Sequence, residues 1–256
     1  ILIGYLEDGT QLEKLALAAA VAERKNKPLF LLKSGATTEG TRAVGYHTGS
    51  VAGNDDEFNT LVRRFGAVRV ESMEHAADLA LAFRPMRWSK GRRLAIVTSS
   101  GGCPALTTEA AIQAGLIMDS VSPETEVSLR KLMPHYGSAA NPIDLTGSLL
   151  NDAPMLEAAL REVIADPLVD MVLVVIGNAE KEAGALVEGI EKCYRITAKP
   201  FAVSWTGGSG RPRRMLLESK IPTYSEPFRA VRALAKLADY SLFSRAGELE
   251  ENSGGF

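Results

Sequence analysis

Apolar and polar positions come in blocks along this chain. Ile1 to Leu6 is a short apolar run, Gln11 to Arg24 repeats Ala and Leu at helical spacing, and Pro28 to Leu32 is apolar again. A strand, a helix and a strand in that order predict a parallel pair. The crossover helix returns the chain to its starting edge, so both strands end on the same side of the sheet. Glu7 and Lys33 are therefore expected at one edge. Ser34 to Asn54 is rich in Gly, Ser and Thr and reads as a long loop, a feature that is uncommon inside a compact domain and often functional. A helix over Asp55 to Phe65, a strand at Val68 to Val70 and a helix over Met73 to Phe83 follow.

Beyond Arg84 the sequence Pro-Met-Arg-Trp-Ser-Lys-Gly has the composition of a linker. Strands are then expected at Leu94 to Thr98, Leu116 to Asp119, Met171 to Ile176, Phe201 to Trp205 and Ile221 to Tyr224. Helices are expected at Pro104 to Ala114, Pro123 to Leu132, Ala153 to Ala165, Glu182 to Tyr194, Arg211 to Ser219 and Pro227 to Tyr240. Five strand–helix units of this kind suit a doubly wound parallel sheet of the flavodoxin type. The expected organisation is a first α/β domain over 1–84, a linker at 85–92, a second α/β domain over 93–244 and a polar tail at 245–256.

Composition narrows the function classes. The 256 residues and 46% hydrophobic content suffice for two compact cores. With 29 basic and 31 acidic residues the net charge is −2, which gives no electrostatic case for nucleic acid or an anionic membrane as the main partner. Cys103 and Cys193 have no second Cys or His at ligand spacing, so neither a disulfide framework nor a metal site is expected. No apolar run reaches the roughly 18 residues of a membrane span, and the start lacks the basic flank of a signal peptide. A cytoplasmic protein is expected, and a start inside a strand without methionine suggests a piece of something longer.

The segment Tyr46-His47-Thr48-Gly49-Ser50-Val51-Ala52-Gly53-Asn54-Asp55 places one imidazole among glycines and hydroxyls ahead of a helix. Glycines leave backbone N–H groups uncovered, Thr48 and Ser50 add hydroxyl donors, and a helix start near Asp55 supplies a positive dipole end. Together they favour a phosphoryl group. An imidazole that attacks phosphorus needs one ring nitrogen unprotonated, and a carboxylate accepting the other N–H fixes that tautomer. Glu7, at the expected shared edge, is the candidate. Lys33 could offset phosphate charge or be a solvated strand-end lysine.

Taken with their neighbours these segments resemble a known family. Leu32-Lys33-Ser34-Gly35, followed by His47-Thr48-Gly49-Ser50 and Ala52-Gly53-Asn54-Asp55, is similar to the phosphohistidine loop of the acyl-CoA synthetases that form a nucleoside diphosphate. Ile3-Gly4-Tyr5-Leu6-Glu7 resembles the strand that carries their supporting glutamate. Ala95-Ile96-Val97-Thr98-Ser99-Ser100-Gly101-Gly102 resembles the first turn of their second flavodoxin-like domain, and Asn141-Pro142-Ile143-Asp144-Leu145 resembles a further motif of theirs. The resemblance implies two flavodoxin-like domains of the succinyl-CoA synthetase type, the first lacking a strand and a helix at its start. It also implies His47 as phosphate carrier with Glu7 as its partner, and Thr48, Gly49, Ser50, Lys33, Ser99, Ser100, Gly101 and Gly102 as phosphate- or substrate-binding residues. The implied substrates are coenzyme A, ATP or ADP with Mg, and a small carboxylic acid. The implied partners are a CoA-binding Rossmann-like domain and an ATP-grasp domain or subunit, in an oligomeric assembly.

Other readings stay open at this point: a non-catalytic or regulatory module that keeps the fold, or a CoA-linked acyltransferase fusion without phosphohistidine. Ser99 to Gly102 could equally be a tight turn for packing. Asn141 and Asp144 suit capping and turning, Gly177 to Glu180 forms an equivalent turn after the third strand, and Arg211, Arg213 and Arg214 form a short basic cluster. His75 and His135 read as structural or solvated.

Overall fold

The computed structural model describes residues 1–253 apart from Asp8, Ser50, Ser100 and Gly101, and of Thr48, Leu150 and 247–253 it describes the backbone alone. The chain divides into two compact units, Pro85–Leu242 and Ile1–Arg84, the latter joined by the end of the chain from Phe243.

In the first unit the βαβ pattern is realised as β1 (Leu2–Leu6), α1 (Leu12–Arg24) and β2 (Leu29–Lys33), followed by α2 (Thr38–Thr48), α3 (Asp55–Arg64), β3 (Val68–Val70) and α4 (Met73–Phe83). The three strands form a parallel sheet in the order β1-β2-β3, with Leu6 opposite Lys33. Alternation along β2 sends Leu31 toward Phe58 and Val62 of α3, and Phe30 against Phe83 of α4 with ring centroids 5.0 Å apart. Successive side chains point to opposite faces of a strand, so the sheet packs helices on both sides.

The expected long loop after Lys33 is largely helix. Thr37 accepts a hydrogen bond from the Gly40 N–H at 3.1 Å and starts α2, and Gly49, at φ 68°, ends it in the left-handed conformation. Gly40, Gly45 and three threonines lower helix propensity, and of the side chains described in α2 only Val44 is buried. No apolar stripe therefore marked this helix in the sequence.

The second unit comprises β4 (Leu94–Thr98), α5 (Cys103–Gln113), α6 (Pro123–Leu132), β5 (Ile143–Asp144), a 3₁₀ turn (Gly147–Leu150), α7 (Ala153–Ala165), β6 (Met171–Ile176), α8 (Ala183–Ile196), β7 (Phe201–Trp205), α9 (Arg211–Glu218), β8 (Thr223–Tyr224) and α10 (Pro227–Ser253). Its five parallel strands run in the order β5-β4-β6-β7-β8. This is the doubly wound flavodoxin arrangement, with its switch point between β4 and β6.

One strand differs from expectation. Leu116 to Asp119 contributes only a single bridge, Arg93 with Ile117, and the place beside β4 is taken by Ile143–Asp144. Asn141 makes that exchange possible: its side chain accepts from the Ile96 N–H at 3.0 Å and donates to the carbonyls of Leu94 at 2.7 Å and Asp119 at 3.0 Å. An amide has both donors and an acceptor, so one side chain satisfies the edge of β4 where a strand would otherwise do so. Asp144 accepts from the Thr146 N–H at 2.8 Å and turns the chain.

The segment between the units is held to the second. The Arg87 guanidinium lies 3.7 Å from the Tyr194 ring centroid and donates to the Tyr194 carbonyl at 2.8 Å, and Trp88 packs on Tyr240. The last helix, expected to stop at Tyr240, continues to Ser253 through Ala, Leu and Glu, all strong helix formers.

Candidate active site

Strand pairing brings the first part of the site together. The Leu6 carbonyl at the end of β1 accepts from the Ser34 backbone N–H at 3.0 Å and its hydroxyl at 3.2 Å, so the chain leaving β2 starts beside Glu7. The segment after α2 then returns to the same place. The Gly9 N–H donates to the Val51 carbonyl at 3.0 Å, and a Cβ on Gly9 would stand 1.9 Å from the Ala52 carbonyl oxygen. Gly53, at φ 67°, could carry no Cβ either, since one would meet the Gly9 carbonyl oxygen at 2.4 Å. A Cβ on Gly35 would meet the Ala52 Cβ at 2.4 Å. Gly9, Gly35, Ala52 and Gly53 thus lock three loops backbone to backbone, as only residues with little or no side chain allow. These positions were not singled out as a joint in the sequence. Their signal was small residues in loops that have no other reason to be small.

His47 lies in the last turn of α2 with its side chain exposed. Glu7, half-buried just past β1, accepts from the Tyr5 hydroxyl at 2.9 Å. Among the described residues no hydrogen bond or ion pair joins Glu7 to His47. Gly49 caps α2; Ser50 lies outside the described residues, as does the Thr48 side chain. The negative end of the α2 dipole faces the His47 region, so a phosphoryl group carried there must have its charge met by donors from elsewhere.

The start of α3 does not offer the open anion site that its position suggested. The Asn54 side chain already accepts from the N–H groups of Asp56, at 2.8 Å, and Glu57, and Asp55, Asp56 and Glu57 fill the first turn with negative charge. Asp55 is bound in turn by Arg69 in a two-pronged contact at 2.7 and 3.0 Å, by Asn59 at 3.2 Å and by Lys33 at 3.4 Å. The Arg69 hydrogen bonds, helped by the charges of Arg69 and Lys33, hold its carboxyl below the usual aspartate value against the opposing effect of burial. Lys33 points inward from its strand end, its ammonium 5.8 Å from the Phe58 ring centroid. It lines a cavity of about 250 Å³ with Leu6, Leu12, Leu15 and Phe58.

The second set lies in the second unit, at the switch point. The Ser99 hydroxyl accepts from the Gly177 N–H at 3.4 Å, so the turns after β4 and β6 face each other across the crevice where open α/β sheets bind ligands. Gly102 precedes α5 with no side-chain cap, and Ser100 and Gly101 lie outside the described residues. Glu180 is taken up by the next turn, accepting from the Ser209 backbone N–H and, at 2.9 Å, from its hydroxyl. Of the basic cluster, Arg213 donates to the Trp205 carbonyl at 3.1 Å.

The two cysteines differ in environment. Burial pushes the Cys193 thiol up to about 11, and Cys103 is a free thiol in the first turn of α5. His75 is buried in α4 and its ring accepts from the Glu71 N–H. Among the described residues no group of three or more His, Cys, Asp or Glu gathers at metal-ligand distance, and no helix is long and apolar enough to cross a membrane.

Comparison with known proteins places these features in order. Residues 1–83 match the succinyl-CoA ligase like flavodoxin domain and residues 94–180 the ligase-CoA domain. The chain is 32% identical to the alpha subunit of ADP-forming acetate–CoA ligase I of Pyrococcus furiosus, over 85% of this chain and 47% of that protein. It is 29% identical to the ADP-forming 4-hydroxybutyrate–CoA ligase of Nitrosopumilus maritimus, over 94% of this chain and 35% of that protein. Among solved structures, the dinucleotide forming acetyl-coenzyme A synthetase 1 of Candidatus Korarchaeum cryptofilum, in complex with phosphate and ADP, superposes with a TM-score of 0.83 at 27% identity. That match covers 97% of this chain and 54% of that one. The chain therefore spans about half the length, or less, of the relatives it matches.

Proposed function

Since this chain belongs to the nucleoside-diphosphate-forming acyl-CoA synthetases, we propose that it supplies the phosphoryl-carrying part of an acid–thiol ligase, with His47 as the carrier. The complete reaction interconverts acid, CoA and ATP with acyl-CoA, ADP and phosphate. The observation that carries the reading is an exposed imidazole at the end of α2 whose following loop is locked, through Gly9 and Gly53, to the loop that bears Glu7.

The chemistry runs in balanced steps. Phosphate oxygen attacks the thioester carbonyl of acyl-CoA, the C–S bond breaks, and acyl phosphate and CoA form. An imidazole nitrogen of His47 then attacks the phosphorus; the bond from phosphorus to the acyl oxygen breaks and the acid leaves as carboxylate. Attack by a terminal oxygen of ADP on the phosphohistidine forms ATP and restores the ring. Glu7, which accepts from Tyr5 in the resting geometry, takes the second ring N–H in the reacting state, keeping the attacking nitrogen free of its proton and aimed. Thr48, Gly49 and Ser50 serve the phosphoryl group, and Lys33, its side chain turned into the cavity beside Phe58, serves substrate; in the second unit Ser99, Ser100, Gly101 and Gly102 offer a separate phosphate or substrate site, where α5 starts without a side-chain cap.

The nucleotide, CoA and acid are met by a CoA-binding Rossmann-like domain and an ATP-grasp domain or subunit within an oligomer in the cytoplasm. Magnesium enters with the nucleotide phosphates, as this ion usually does, and no step is assigned to it on this chain. The exposure of His47 at the negative end of a helix suits a carrier that hands its phosphoryl group on rather than storing it.

The deciding experiment incubates the assembled enzyme with γ-labelled ATP and magnesium. An acid-labile, base-stable protein phosphate is expected, absent after His47→Ala; equal labelling of that variant overturns the reading. Glu7→Gln is expected to slow labelling while leaving the melting temperature unchanged, because it alters orientation at a sheet edge and not the core.

A further inference from the structure

The cavity at the strand ends of the first unit has the chemistry of a binding site that phosphoryl transfer does not need. Its lining combines the apolar side chains of Leu6, Leu12, Leu15 and Phe58 with Gln11 and the two cations Lys14 and Lys33. The Lys33 side chain is 1% exposed, and burying an ammonium is costly unless charge and hydrogen bonds compensate it. Here the compensation is thin. Lys33 donates to the Ser34 carbonyl at 3.3 Å and to Asp55 at 3.4 Å, both beyond the usual length, and its ammonium has a third proton to place. Asp55 is chiefly engaged by Arg69. One carboxylate thus serves two cations, and Lys14 adds a third cation at the rim. Among the described residues no acid lines the cavity.

We propose that this cavity binds a small carboxylic acid as its anion, with the carboxylate on Lys33 and Lys14 and a short hydrocarbon chain against Leu12, Leu15 and Phe58. Inorganic phosphate fits poorly because it carries oxygen on every side, and those facing leucine and phenylalanine would be desolvated without a partner. Nucleotide and CoA are too large. At about 250 Å³ the space lies just below the roughly 300–1,000 Å³ of ordinary small-molecule sites, which suits a small organic acid and not a nucleotide. The link to acid activation rests on the function proposed above; the binding itself does not.

The test titrates the full-length protein with ¹³C-carboxyl butyrate, observed by NMR, with acetate and inorganic phosphate as comparison ligands. Saturable butyrate binding is expected, at least tenfold tighter than phosphate. Leu15→Phe, which fills the space without changing charge, and Lys14→Met should each weaken it at least tenfold or abolish it. Leu17→Phe, on the exposed side of the same helix, should leave it unchanged. Lys33→Met is informative only if its melting curve matches the parent, and the Leu15 and Lys14 variants decide the question without it. Non-saturating butyrate, equal affinity for phosphate, or parental affinity in Leu15→Phe overturns the proposal. Repeating the titration on His47→Ala separates it from the phosphoryl relay, since binding should persist there. In the assembled enzyme, Leu15→Phe raises the KM for the acid if the bound acid is the substrate, and removes a second, non-substrate butyrate from the stoichiometry if it is an effector.

Discussion

The two units put their apolar residues to different uses. In the second, β4, β6 and β7 are buried along their whole length, with one face in an extended apolar cluster. In the first, the edge strand β1 leaves Leu2, Ile3 and Tyr5 at 48%, 48% and 57% exposure. Its histidine-bearing helix buries a single described side chain, Val44. A five-stranded sheet covered on both faces gains stability from burial. The three described strands of the first unit lean more on local devices: a cap at Thr37, a glycine joint, and the Asp55 charge cluster. The proposed carrier sits on the less buried of the two, where a side chain can be reached by a partner.

The comparison can be broken most forcefully in the second core. Leu173→Ala, at a fully buried position of β6, should cost about 2–5 kcal/mol, whereas Leu2→Ala at a half-exposed position of β1 should cost about 1 kcal/mol or less; urea unfolding curves of this chain for the two variants check the ratio. Next comes the joint. Gly53→Ala forces a side chain into left-handed backbone against the Gly9 carbonyl, and should destabilise the first unit by about 1–3 kcal/mol. Histidine labelling should fall with it even at temperatures where the variant is folded.

The charge cluster yields a smaller, pH-dependent effect. The carboxyl of Asp55 is lowered in the folded state, so its contribution is fully present above the unfolded value of about 3.9 and is lost as pH falls through the lowered folded value. Asp55→Asn should therefore flatten the acid side of the stability curve below about pH 4, measured as urea midpoint against pH, while unfolding at pH 7 becomes easier. Smallest of all is Tyr46→Ala. This side chain is 84% exposed next to His47, and a change within about 0.5 kcal/mol is expected; a larger loss of stability would mean that α2 is packed more firmly than its exposure indicates.

Much of this was legible in the residues. The βαβ start, the fully apolar strands of the second sheet and the helices beginning with Pro123 and Ala153 follow from periodicity and caps, because these elements are strongly patterned and locally determined. Helix α2 was hidden because glycine and threonine mask helix propensity and no apolar face announces it. Leu116 to Asp119 looked like a strand because apolar residues follow a helix there, yet Asn141 occupies the hydrogen-bonding edge it would need. At the site, His47 and Glu7 stood out by residue type and sheet topology, but Gly9, Gly53 and the shared use of Asp55 by Lys33 and Arg69 involve residues 14 to 44 positions apart, beyond the reach of any local pattern.

What the sequence alone determined about this protein is therefore the alternation of strands and helices, the parallel sheets they build, and the motifs that identify its family. Those depend on backbone propensity and on burial repeated at short range. Only the tertiary structure decided that His47 ends a helix, that glycines bind its loop to that of Glu7, and that Lys33 turns inward to an apolar cavity. Each of these depends on where distant backbones meet, and so on packing and charge compensation that exist only once the chain has folded.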